Sequence, residues 1–165
     1  MVIDTPEAAL VEVRRLGLPD VFVRVWEGSL SSPLSREWET PRLYFRDCKA
    51  LAARVPRLDG LCPLFEVNGE AIVGVISGRE FVRFYYEDAA RRGNSNDAVE
   101  ALGHNYQQFV TQVLLEWEEA GLPDEFEEVA QLLEYKHTRA LRAILDAYDP
   151  ETGEQKLESF KASVS

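Results

Sequence analysis

Two histidines, two cysteines and a crowd of carboxylates are the groups in this chain best able to move protons or hold a metal. His104 sits in Leu-Gly-His-Asn-Tyr, near a helix start, and His137 where a helical pattern breaks. A triad needs a nucleophile within reach of a base, and a third group to orient that base. No local motif of that kind surrounds either histidine and Gly-x-Ser-x-Gly is absent, so both read as structural or surface side chains. Cys48 and Cys62 are isolated, whereas a structural zinc site wants about four ligands in close pairs. They read as small buried hydrophobes in a reducing compartment. Gly-x-Gly-x-x-Gly and the Walker pattern are both missing, so no phosphate-bearing cofactor is expected.

The carboxylates are less easily dismissed. Glu116, Glu118, Glu119, Asp124, Glu125, Glu127, Glu128 and Glu134 crowd one helix junction, and no Lys or Arg occurs between Asn94 and Tyr135. There is no Asp-x-Asp-x-Asp-Gly loop to make this a calcium site, and no metal is expected. A solvated helix surface accounts for the pattern. The functional reading is a docking surface for a protein, with Glu116, Glu118, Glu119, Asp124, Glu125, Glu127 and Glu128 as its partner-binding residues and no catalytic residues. A different class of function would use the polar loop Ser29–Thr40, since a long loop in a compact domain is often functional. There Arg36 and Trp38, with His104 or Tyr85, would line a cleft for a small ligand or an enzymatic reaction. Tyr85 and Tyr86 beside Arg83 could form an exposed patch, although strand aromatics are usually core.

The bulk numbers are compatible with solubility alone or with the docking reading. With 165 residues, 45% apolar and 28% charged, the chain can build one core. A single α+β domain is expected over residues 1–150, with a polar tail over 151–165. Eighteen basic against 29 acidic residues leave a net charge of -11. Nucleic acid and anionic membranes need a concentrated basic face, so neither is an expected partner, whereas a basic protein would be drawn in by long-range attraction. The first residues lack a basic region followed by an apolar run, and no stretch approaches a membrane span. A cytoplasmic protein is expected. Fourteen of the 18 basic residues are arginine, a compositional hint of a GC-rich bacterial genome.

The elements that must position these groups can be read in order. Thr5-Pro6-Glu7 starts a helix that Gly17 ends. Val21–Trp26 fits a helical stripe at Phe22, Val25 and Trp26 and a strand by its β-branched residues; Pro19 at a first turn tips it to a second helix, closed by Gly28, and Arg42–Arg46 reads as a short strand. Asp47 should cap a helix running to Arg54. Asn68-Gly69 between two apolar runs is the strongest hairpin signal, and a second turn at Ser77-Gly78 makes a three-stranded antiparallel meander. A two-residue turn would place Val67 opposite Glu70, Phe65 opposite Ile72 and Leu64 opposite Val73. One face would then carry Leu64, Val73, Val75, Val82 and Phe84, and the other Phe65, Ile72, Ile76, Phe81, Arg83 and Tyr85. Both faces are rich enough in apolar residues to be covered by helices. Arg91–Asn96 reads as a loop and Asp97 as the cap of a long helix with the stripe Val99, Leu102, Tyr106, Phe109, Val113 and Trp117. Gly121 stops it, Pro123 starts the next, and the pattern breaks near Lys136-His137. The fold class is α+β: a central antiparallel meander flanked by helices, with long C-terminal helices.

This order of elements resembles the SUKH superfamily. The resemblance rests on Leu18-Pro19-Asp20 before Trp26-Glu27-Gly28, on Cys62-Pro63-Leu64-Phe65-Glu66-Val67-Asn68-Gly69-Glu70 opening the hairpin, and on Tyr106-Gln107-Gln108-Phe109-Val110. It covers residues 7–117 and departs from the pattern at Ser29, where a second glycine is usual, and at Glu70, where an Asp is usual. The resemblance implies a domain that works by binding proteins, and a bacterial immunity protein that neutralises a toxin, here a basic one.

Overall fold

The computed structural model describes residues 3–92 and 98–165. Its backbone contacts group into two units, residues 1–102 and 103–165. The fold is α+β. The Arg91–Asn96 loop and Asp97 cap expected from the sequence fall mostly on residues 93–97, which lie outside the described residues.

The first unit begins with helix α1 (Pro6–Arg15), whose first turn is capped by the Thr5 hydroxyl accepting from the Ala8 N–H at 3.1 Å. Helix α2 (Asp20–Glu27) follows and ends at Gly28, which takes the left-handed conformation at φ 66°. Both agree with the sequence reading. The Ser29–Thr40 segment does not stay a loop. After a 3₁₀ turn it forms the two-residue strand β1 (Trp38–Glu39), which pairs with the edge of β2 (Leu61–Val67). Trp38 stacks on Phe65 with ring centroids 3.8 Å apart, and Phe22 of α2 lies 5.9 Å from Trp38. Burying these three rings is what draws the segment onto the sheet.

The expected strand at Arg42–Arg46 is a helix. Helix α3 (Arg42–Arg54) buries Tyr44, Cys48 and Leu51, a spacing of four and three that only a helix brings to one side. Local β preference at Leu43-Tyr44-Phe45 loses to that stripe. The sequence reading survives at Asp47, where non-helical dihedrals (φ -135°, ψ 16°) kink the helix.

Strands β2, β3 (Ala71–Ile76) and β4 (Glu80–Tyr85) form the expected antiparallel meander, and the five-stranded sheet has the order β1-β2-β3-β4-β5, with β5 at Val99–Gly103. The register differs from a two-residue turn. Asn68 and Gly69 have φ of 53° and 69°, as that turn demands, but Glu70 stays outside the strand and Val67 faces Ala71. Phe65 therefore faces Val73 and Glu66 faces Ile72, until a bulge at Leu64 restores Pro63 to Gly74. The second turn repeats the pattern, with Ile76 facing Glu80. A slip of one residue exchanges faces. Ile72, Ile76, Val82 and Phe84 point to α3, in one cluster with Tyr44, Cys48, Leu51 and Val55. Phe65, Val73, Val75 and Phe81 share the opposite face, where Phe22 of α2 meets Phe65 and the Cys62 thiol donates to the Ala9 carbonyl at 3.7 Å. Both faces are thus covered by helices, as expected. Helix α4 (Tyr86–Arg92) then runs on from β4 where the sequence suggested a loop at Arg91.

The long helix also starts later than its stripe implied. Val99 and Leu102 belong to β5, and α5 (Tyr106–Glu119) is capped by the Asn105 side chain, which accepts from the Gln108 N–H at 2.9 Å. Gly103 lies at this corner, where a Cβ would fall 2.5 Å from the Phe109 nitrogen. The second unit continues with α6 (Phe126–Leu132) and α7 (Thr138–Asp146), interrupted as expected around Lys136-His137. Buried Gln107 and Thr111 hold that break: Gln107 Oε1 accepts from the Lys136 N–H at 2.9 Å, and Thr111 Oγ1 lies 2.6 Å from the Tyr135 hydroxyl. Residues 151–165, expected as a polar tail, are largely helical. They carry α8 (Gly153–Ser163), where Lys161 Nζ donates to Gln112 at 2.6 Å and the carbonyl of buried Val164 accepts from Asn105 Nδ2 at 3.1 Å. Among the described residues no helix is long and apolar enough to cross a membrane.

Two substitutions test this packing by chemical denaturation followed by circular dichroism. Trp38→Ala should cost about 3 kcal/mol by removing the stacked ring. Gly74→Ala should cost about 1–3 kcal/mol, because its Cβ would sit 2.6 Å from the Cys62 carbonyl oxygen. Unchanged midpoints would contradict the register.

Candidate functional site

Three places in the molecule gather functional side chains. The first is the acidic junction of α5 and α6. Three of its seven carboxylates are engaged within the second unit. Glu118 forms an ion pair with Arg142 at 3.0 Å, Glu125 accepts from Trp117 Nε1 at 3.3 Å, and Glu116 accepts from Gln112 Nε2 at 3.0 Å. Arg142 also pairs with Asp146 and lies 5.4 Å from the centre of the Phe126 ring, so it clamps the junction. The other four, Glu119, Asp124, Glu127 and Glu128, are exposed and form no ion pair with another described residue. Glu127 and Glu128 occupy the first turn of α6, where negative charge also suits the helix end.

The second place is the cleft suggested around residues 29–40. It exists, with a volume of about 370 Å³, and its lining includes Val25, Leu30, Trp38, Thr40, Arg42 and Glu66. Its composition differs from the expectation. Arg36 is not among the lining residues, Tyr85 lines a different hollow, and His104 belongs to the second unit. Glu66, which sequence reasoning did not single out, is only 5% exposed and stands opposite Glu39 in the β1–β2 register. Its signal was a carboxylate inside an otherwise apolar strand.

The third place was half visible in the sequence. Tyr85 is 46% exposed, whereas Tyr86 is half-buried and packs against the cluster that α3 covers. The pair lines a hollow of about 390 Å³ with Gly69, Glu70, Glu87 and Asp88. The Tyr86 N–H donates to the Glu70 carbonyl at 3.1 Å, tying the end of β4 to the first hairpin turn. The Tyr86 hydroxyl donates to the Asp47 carboxylate at the α3 kink. Burial, and then that carboxylate, push the Tyr86 phenol up to about 12, so it stays neutral at physiological pH. Arg83, expected beside the pair, is turned to Glu100 of β5, 2.9 Å away.

The remaining reactive groups are quiet. Both cysteines are free and buried, and burial pushes the Cys62 thiol up to about 12. His104 is exposed, and His137 packs edge-on between the Tyr135 and Phe160 rings. Among the described residues no three His, Cys, Asp or Glu side chains converge as metal ligands. No family model, no curated protein and no solved structure matches this chain.

The phenols predict an alkaline limit to stability. Burial raises the Tyr44 and Tyr106 hydroxyls as it does that of Tyr86. An unfolded tyrosine ionises near about pH 10, so the unfolded chain releases these protons first. Their stabilising contribution is complete below that pH and is lost as pH climbs toward the folded values. Urea midpoints should hold steady up to about pH 8, begin to fall as the buried Cys62 thiol becomes ionisable in the unfolded chain at about pH 8.5, and fall more steeply between about pH 10 and 12. A flat profile across that window would refute the assignment.

Proposed function

We propose that this chain is a non-enzymatic, cytoplasmic protein-binding module for a basic protein partner. One observation carries the reading. Glu119, Asp124, Glu127 and Glu128 stand exposed at the α5–α6 junction, in a stretch from Asn94 to Tyr135 that has no Lys or Arg, on a chain of net charge -11. Such a surface raises the rate of encounter with a positively charged protein and fixes its orientation. The internal hydrogen bonds and ion pairs of Glu116, Glu118 and Glu125 make those three the frame of the junction and the other four its outer surface. The resemblance to the SUKH superfamily supports the same reading and suggests a basic toxin, neutralised by binding, as the partner.

The test uses the full chain and a variant carrying Glu119→Lys, Asp124→Lys, Glu127→Lys and Glu128→Lys. Affinity capture should retrieve a basic protein with the parent chain. The association rate should fall by about tenfold or more in the variant and should fall with added salt in the parent. Equal capture by both chains, with no dependence on salt, would sink the reading.

A further inference from the structure

Among the described residues, the side chains that line the hollow beside the first hairpin turn are of two chemical kinds. Two phenol rings, Tyr85 and Tyr86, meet the carboxylates of Glu70, Glu87 and Asp88, and Gly69 leaves a gap without a side chain. Among the described residues, no Lys or Arg lines it. Glu87 does pair with Arg91 at 3.0 Å, but both side chains are more than three-quarters exposed, and such a pair neutralises little. An anion would meet the like charges of Glu70 and Glu87 here, and an uncharged apolar guest would have to strip water from those carboxylates without replacing it. A cation is favoured by both wall types, because the face of an aromatic ring is negative.

The hollow is also held in shape. Tyr86 is fixed at its backbone by the Glu70 carbonyl and at its hydroxyl by Asp47. Tyr85 ends β4 in register with Ala71, the first residue after the turn. The Tyr86 ring therefore does not need to be ordered by a guest, which lowers the cost of binding. A volume of about 390 Å³ suits one long side chain rather than a folded surface. Tyr85, at 46% exposed, is one of three large apolar side chains left that open among the described residues. Tyrosine in such a position is a frequent anchor of protein interfaces.

We propose that this hollow is a socket for the cationic side chain, arginine or lysine, of a basic protein partner. The proposal rests on the protein-binding reading and names the chemistry by which the partner is recognised. Arginine gains more than lysine, because its planar guanidinium stacks on the rings while hydrogen-bonding the carboxylates.

The test titrates a blocked Gly-Arg-Gly tripeptide into the full chain and follows backbone amide shifts. The same tripeptide with citrulline, arginine's uncharged counterpart, is the control. Saturable shifts at Gly69, Glu70, Tyr85 and Tyr86 are expected with arginine and not with citrulline. Tyr85→Ala should weaken binding by about tenfold and Glu70→Gln by about threefold. An equal response to citrulline, shifts confined to other residues, or undiminished affinity in Tyr85→Ala would overturn the socket. Captured protein separates this failure from that of the parent reading. Capture that depends on the α5–α6 carboxylates but ignores Tyr85→Ala overturns the socket and leaves the binding module standing. Tripeptide binding without any charge-dependent protein partner overturns the claim that a protein supplies the cation.

Discussion

Two residues that accept positive φ, Asn68 at 53° and Gly69 at 69°, turn the chain between β2 and β3, and the first unit is organised around that turn. An ordinary side chain at both positions would resist the conformation. Because Glu70 is left over after the turn, β3 starts at Ala71 and the pairing of Ala71, Ile72 and Val73 slips by one residue. The bulge at Leu64 then absorbs the slip, so the far end of the hairpin recovers the pairing of a two-residue turn. This sets which apolar residues meet α3 and which meet α1 and α2. It also places Phe65 under Trp38, and through that stack brings the Ser29–Thr40 segment onto the sheet as β1.

The same turn decides where charge and aromatic surface coincide. The leftover Glu70 cannot pair in the sheet, yet its carbonyl receives the Tyr86 N–H and its side chain lines the hollow with Tyr85 and Tyr86. Acidic residues elsewhere divide by the work they do locally. Glu118 is spent on Arg142, which spans to Asp146 and covers Phe126. Glu127 and Glu128 serve the helix end and still face water. A net charge of -11 is thus neither evenly spread nor wholly available to a partner. That distinction matters for binding, because only exposed charge steers an encounter at a range of about a Debye length.

Much of the fold was legible in the chain itself wherever one residue type has one structural use. Thr5-Pro6, Gly17, Gly28, Gly121 and Pro123 mark helix ends, and all five do so in the structure. The paired turns gave the meander for the same reason. Reading failed where two periodicities competed. Leu43-Tyr44-Phe45 looks like a strand by composition, but the stripe Tyr44, Cys48 and Leu51 has an apolar sheet face to cover and the helix prevails. Val99 and Leu102 fit a helical stripe and are strand residues, and the helix begins only after Asn105, whose side chain caps it. The acidic junction was legible as a run without basic residues. Its internal engagement was not, since Arg142 pairs with Glu118 across 24 positions of sequence.

The sequence by itself determined the class, α+β with an antiparallel meander and a surplus of acid, because turn chemistry, helix caps and net charge are local or additive properties. Only the tertiary structure decided the rest: the register, the strand made from Trp38-Glu39, the helix made from a strand-like run, and the hollow in which Glu70 meets Tyr85 and Tyr86. Those outcomes depend on which buried surfaces are available to cover one another, and burial is a property of the assembled chain that no short window contains.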